Sequence, residues 1–499
     1  MKTKSQEARR TEVSTAAETS LDPADWPAFR RLCHDMLDRA LSHLEDGAEA
    51  PVWRAPTEAA KRAISEALPQ EAQGAERAAE DLLRWILPYG TGNTHPRFFG
   101  WVHGAGTPGG VLAETMAAAL NANLGGRDHM PVYVERQVIE WCRQIFGLPE
   151  SAGGLLVSGT SLATLIGLAI ARNHKAEGDL RRDGVAATAG RLTAYTSAEA
   201  HGSIAKAMEL LGLGSAALRR IPTDDRYRLD VAALRRAIRA DREAGRQPFC
   251  VVATAGTVNC GAIDDLAGIA DLCRAQDLWL HVDGAFGALA ALSPELKGRL
   301  AGIEAADSLA FDFHKWMQVP YDAGCILVRD AALQQAAFSG RQDYLAAATR
   351  GLAGGDPWFC ELGPELSRGF RALKVWFTMK EHGLRRLGEV VARNCAQARY
   401  LAERVEAHPG LELMAPAALN IVCFRHRAPG LSDEALDTLN AEIVIALQES
   451  GVAAPSTTRL KGRLAIRVNL TNHRTRMADL DVLLDALCAA AEARLGPGT

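Results

Sequence analysis

From residue 23 to residue 87, apolar residues recur every three or four positions. The segments WPAFRRLCHDMLDRALSHL, TEAAKRAISEAL and AERAAEDLLRWIL carry this period, which predicts amphipathic helices. The first 22 residues are polar and read as a flexible tail. A turn-rich stretch, PYGTGNTHPRFFGWVHGAGTPGG, precedes two more helical runs at 111–120 and 132–146. Beyond Pro149 the pattern changes. Short β-rich runs (GGLLVSG, LTAYTS, FCVVAT, LWLHV, SLAF, GCILV) alternate with helical runs. That alternation predicts an α/β domain around a mostly parallel sheet, with ligand groups at the carboxyl ends of strands. After a long helix starting at Phe370, helices alternate with the strands LNIVCFRH and GRLAIRVNL, which predicts a small α+β unit. The predicted division is a tail at 1–22, a helical segment at 23–110, a large α/β domain at 111–380 and a small domain at 381–499.

Composition narrows the function. Lys and Arg total 56 against 60 Asp and Glu, a formal charge of −4, which offers no broad basic field for nucleic acid. Charges interrupt every long apolar run, so no membrane span is expected, and the polar start lacks the apolar region of a secretory signal. The ten cysteines form no CxxC pair, which suits reduced thiols in a cytoplasmic protein. Cys250, Cys325 and Cys423 fall in strand-like runs, where Cys packs as a small hydrophobe.

Four short stretches carry candidate chemistry. In HVDGAFG (281–287) a strand delivers Asp283 at its end, and in AADSLAFDFHKW (305–316) the next strand delivers His314 and Lys315. A lysine that binds a carbonyl and a carboxylate that holds a ring nitrogen are the pair pyridoxal phosphate (PLP) chemistry requires. Taken singly, each also fits a loop lysine or a strand-end aspartate. In LLVSGTSLATLIGLAIAR, Thr160 and Ser161 open a helix, where free backbone N–H groups suit a phosphate, or a plain N-cap. In TSAEAHGSIAKA, His201 stands between a strand and a helix, placed to stack on a flat ring or simply to start the helix. Thr254 closes the VVAT strand and either faces a ligand or begins a turn with Gly256.

Together with ATAGT, LWLHVDGAFG, GIEAADS and HKW in order, these stretches resemble the group II PLP-dependent amino acid decarboxylases, which include aromatic-L-amino-acid, histidine, glutamate and cysteine-sulfinate decarboxylases. The resemblance runs from about His95 into the C-terminal domain. It implies the type I fold of PLP-dependent transferases, with a seven-stranded sheet, and a homodimer whose N-terminal helices embrace the partner. It also implies PLP bound as a Schiff base on Lys315, Asp283 on the ring nitrogen, His201 stacked on one ring face and Ala285 under the other. Thr160 and Ser161 lie where the family binds phosphate, with Ser308 and His314 as helpers. The implied reaction is α-decarboxylation of an L-amino acid to an amine and CO₂. Transamination and other type I chemistry share the fold.

Two departures bear on that reading. Many relatives carry Asn where this chain has Asp312, which implies a carboxylate turned away from the phosphate or paired. The family's proton-donating Tyr has no counterpart between Leu345 and Phe370, and Tyr344 lies earlier. Trp358 and Phe359 stand near the expected place, in a loop spanning about 338–363 that is expected to close over the site. Loss of that Tyr in the family is associated with oxidative decarboxylation to an aldehyde. For the substrate, HPRFFGWVHG and NANLGGRDHMP resemble the acidic branch, with Arg97 or Arg127 to bind a carboxylate. HKW and the placement of Trp101, Val102 and His103 at a pocket wall suit the aromatic branch, which is favoured.

Overall fold

The computed structural model describes residues 20–188, 190–340 and 348–495. The chain divides into two compact units, one of Met1–Glu45 with Thr57–Pro88, the other of Asp46–Pro56 with Tyr89–Thr499. In the first, helices form at Trp26–Glu45, Glu58–Ile64 and Ala75–Asp81. Thr57 caps the second by accepting the Ala60 N–H. The Trp26–Glu45 helix buries none of its residues, although its apolar positions follow a helical period.

The second unit is built on a seven-stranded sheet. Its strands are β1 (Gly153–Val157), β2 (Leu192–Ser197), β3 (Leu218–Ile221), β4 (Gln247–Thr254), β5 (Trp279–Asp283), β6 (Ser308–Asp312) and β7 (Gly324–Val328). The spatial order is β1-β7-β6-β5-β4-β2-β3. The β2–β3, β2–β4, β4–β5 and β5–β6 pairs are parallel, while β7 runs antiparallel to both β6 and β1. Helices cover both faces, so the central strands read as unbroken apolar runs, with Phe249 to Ala253 all buried. The mostly parallel sheet is therefore the expected one. β3, with the sequence LRRI, escapes the apolar pattern because it lies at the edge with its two arginines partly exposed.

Behind β1 lies a buried ion pair. Arg368 reaches Glu135 at 2.5 Å, and both side chains are almost fully buried. Glu135 also accepts the Leu156 N–H (3.0 Å), and Arg368 donates to the Leu156 and Leu124 carbonyls at 2.6 and 3.0 Å. These bonds tie β1 to the Met130–Phe146 helix and to the residues that enter the Arg371–Ala407 helix. That last helix breaks at Gly383, whose φ of 67° and ψ of 156° suit glycine alone, so two helical runs meet there.

The C-terminal sheet is antiparallel, in the order β10-β11-β9-β8, from β8 (Leu411–Leu413), β9 (Ile421–His426), β10 (Ser456–Leu460) and β11 (Arg463–Asn469). The Asp433–Glu449 and Met477–Leu495 helices pack on it through Leu439, Ile443, Leu483 and Leu487. All ten cysteines are free, and Cys250, Cys325 and Cys423 are buried in β4, β7 and β9. Among the described residues no helix is long and apolar enough to cross a membrane.

Candidate functional site

The carboxyl ends of β4, β5 and β6 deliver Thr254, Asp283 and Asp312 side by side. With the turn after β1 and the loop after β2 they enclose a cavity of about 540 Å³. Thr160, Ser161, His201, Thr254, Asp283, Ala285, His314 and Lys315, all singled out in the sequence, line it, as do Trp101 and His103.

Each side chain has a local cause for its position. Asp283 is buried and accepts the Ala285 N–H at 3.2 Å. Burial raises its carboxyl above the usual carboxylate range, opposed by Lys315, that N–H and His201. Thr254 is held by its own N–H, which donates to Asp264 at 2.8 Å; the same buried carboxylate accepts the Leu229 N–H at 2.7 Å. Burial pushes Asp264 up to about 6 despite those bonds. The Thr160 N–H donates to Asp312 at 2.7 Å, and Lys315 Nζ lies 2.8 Å from the other oxygen of that carboxylate. The Thr160 and Thr254 hydroxyls are buried and have no partner among the described residues, an expensive arrangement unless a ligand completes it. His201 Nδ1 faces Ser203, lying 2.8 Å from its hydroxyl and accepting its N–H at 3.2 Å. Lys315 approaches closely because Gly104 packs on its backbone; a methyl group there would overlap the His314 and Lys315 carbonyls.

One wall is aromatic. His314 lies against Tyr321 at a tilt (centroids 4.3 Å apart), Tyr321 meets His103 edge-on (5.9 Å), and His103 stacks with Trp101 (5.8 Å) and Phe98 (5.6 Å). The His103 and His314 rings are both lowered from their ordinary value, chiefly by burial, so they favour the neutral form. Tyr321 and Asp264 were missed in the sequence. The first had a usable signal, since VPYDAG follows HKW at once; the second is a strand-backing carboxylate with no motif of its own.

Several expectations need correction. Ser308 opens β6 rather than closing it, away from the cavity, and its hydroxyl is taken by Trp279 and His281, each at 2.8 Å. Trp358 does not enter the cavity. It is buried against Gly126, with its Nε1–H on the Gly354 carbonyl and the Arg127 guanidinium over its ring. Phe359 is buried beneath Arg368. Arg97 donates to the Val452 carbonyl and pairs with Asp479, and neither it nor Arg127 lines the cavity. Tyr344 and part of the expected lid, residues 341–347, lie outside the described residues.

The chain is similar to known proteins in sequence and in fold. The model of the pyridoxal-dependent decarboxylase conserved domain matches residues 56–427. The chain is 34% identical over 477 residues to the aromatic-L-amino-acid decarboxylase of Bacillus atrophaeus, covering 93% of this chain and 95% of that one. Other relatives are named histidine, L-2,4-diaminobutyrate and tyrosine decarboxylases. Oryza sativa TDC, solved with PLP and tryptamine, superposes with a TM-score of 0.88 at 26% identity, covering 96% of this chain and 100% of that one. Rhodiola rosea 4-hydroxyphenylacetaldehyde synthase superposes with a TM-score of 0.85 at 25% identity, covering 95% and 100%.

Proposed function

We propose, from the premise that this chain belongs to the pyridoxal-dependent decarboxylase family, that it removes the α-carboxylate of an aromatic L-amino acid in the cavity at the ends of β4–β6. Membership makes it a PLP-dependent amino acid carboxy-lyase. The residue roles and the substrate are our reading.

The donor set fits the cofactor. The unpartnered Thr160 and Thr254 hydroxyls, with Ser161, would hold its phosphate at the start of the Thr160–Lys175 helix. Lys315 would bind its aldehyde carbon, and His201 and Ala285 would flank its ring. Bound there, PLP supplies an electron sink that accepts the bonding pair released when CO₂ leaves. Asp283 would keep a proton on the ring nitrogen, because its buried charge is costly unless paired and so favours a cationic partner. His201, oriented by Ser203 at Nδ1, is the first candidate to protonate the substrate Cα after CO₂ departs, donating as an imidazolium and returning to neutral imidazole. Val102 and Phe286, both buried, keep water from the reacting carbon.

The aromatic wall carries the substrate proposal. Trp101, His103 and Tyr321 offer ring faces, and among the described lining residues Lys315 is the one side chain with a fixed positive charge. An acidic side chain would find no guanidinium there. On a panel of tryptophan, tyrosine, phenylalanine, glutamate and cysteine sulfinate, kcat/KM for the best aromatic substrate should exceed that for either acid by at least about tenfold. Amine should match CO₂. Preference for an acid would overturn the substrate, keto acid without CO₂ would point to transamination, and peroxide matching CO₂ would replace simple with oxidative decarboxylation.

We further propose a homodimer in the cytoplasm. The Trp26–Glu45 helix buries nothing, and Trp26, Leu41, Ile64, Leu82 and Ile86 of the same unit are exposed, an apolar set that a second copy would cover. Sedimentation of the active, cofactor-loaded enzyme should give twice the chain mass, and a monomeric mass would exclude the dimer.

A further inference from the structure

Asp312, the last residue of β6, sets a carboxylate where the fold gathers its anion-binding groups. It is buried to within 2% of full burial. One oxygen accepts the Thr160 N–H at 2.7 Å, and the other lies 2.8 Å from Lys315 Nζ and 3.7 Å from His314 Nε2. The backbone is fixed as well, since the Asp312 N–H donates to the Ala285 carbonyl at 2.9 Å. There is little room to turn away. A methyl on Gly324 would come within 2.7 Å of Asp312 Oδ1, and one on Gly159 within 3.5 Å. The carboxylate thus holds both the first amide of the Thr160–Lys175 helix and the cavity's lysine, beside the buried, unpartnered Thr160 hydroxyl.

We propose that Asp312 is a positioning residue that sets how tightly the cofactor's phosphate is retained. In the cofactor-free chain it binds the Thr160 amide and the Lys315 ammonium together. On loading, the lysine nitrogen joins the cofactor's aldehyde carbon, one water leaves, and that nitrogen is committed to the cofactor. Asp312 keeps the amide and His314 as neighbours and faces a phosphate of like charge at the helix start. Like charges brought close together weaken binding. The inference rests on the reading that this cavity is the cofactor site.

Asp312→Asn retains the oxygen that accepts the Thr160 N–H and the shape of the side chain, and removes the charge. Cofactor-free wild type and variant would be titrated by fluorescence with PLP and, separately, with pyridoxal, which lacks the phosphate. The variant should bind PLP about tenfold tighter, with pyridoxal affinity changed by less than about twofold. Unchanged or weaker PLP binding would overturn the proposal, and so would an equal gain for both ligands, which would place the effect on the lysine alone. Asp312→Ser, smaller and still an acceptor, should shift PLP binding in the same direction and serves if the asparagine variant does not fold. If the cavity were not the cofactor site, borohydride would fail to fix PLP on Lys315 of the wild type, a result separate from either titration.

Discussion

Replacing Lys315 by alanine is expected to abolish borohydride-fixable cofactor and to lower kcat/KM by about 10³-fold or more, on the order of 4 kcal/mol of lost transition-state stabilisation. The lysine is the amine in the cavity, and its position is built in. The packing of Gly104 on its backbone and the 2.8 Å pair with Asp312 hold it over the strand ends. Alanine leaves the backbone of residues 313–323 free to adopt the same path, so the variant should fold. Thr160, Thr254 and Asp283 remain to bind PLP without a covalent bond. Peptide mass spectrometry after reduction is the decisive check. Wild type should carry the reduced cofactor on Lys315, and a variant that still carries one on another lysine would sink the assignment.

Replacing Glu135 by alanine should cost about 3–5 kcal/mol of stability, because it strands a buried cation. Arg368 is 3% exposed, and the Leu124 and Leu156 carbonyls give it dipoles but no counter-charge. The loss reaches the cavity through β1, since Glu135 also accepts the N–H of Leu156, two residues before Ser158 at the cavity wall. Denaturant titration of the loaded enzyme should show the fall in midpoint together with reduced cofactor occupancy. A change under about 1 kcal/mol would mean that the arginine finds another partner.

Which parts of this molecule are readable in advance follows from burial. FCVVAT and GCILV are strands with both faces covered, and such strands announce themselves as continuous apolar runs. LRRI and STTRL are edge strands with polar, partly exposed positions, so they carry no comparable signal. The same logic governs the site. Thr254, Asp283 and Lys315 are legible because each follows the end of an apolar strand, where a parallel sheet collects its ligands. Ser308 misleads because it begins β6. Four steps of about 3.3 Å each separate it from Asp312, about the full length of that strand. Trp358 and Phe359 sit in a stretch without periodicity, which says nothing about direction, and tertiary packing on Gly126 and Arg368 takes them away from the cavity.

The reversed direction of β7 has a consequence for the lysine. Parallel neighbours need a crossover of a dozen or more residues that returns the chain to the opposite edge of the sheet. β6 and β7 need none, so residues 313–323 never leave the edge of the sheet that bears the cavity. It is the shortest link between consecutive strands of this sheet, and three of its residues, His314, Lys315 and Tyr321, reach the cavity. Closing so short a loop is entropically cheap, and its ends are pinned by adjacent antiparallel ladders. Lys315 is therefore placed by a local hairpin, while Asp283 and Thr254 depend on distant crossovers. Sequence drift in the outer helices can re-aim Asp283 and Thr254 and leave the lysine where it stands.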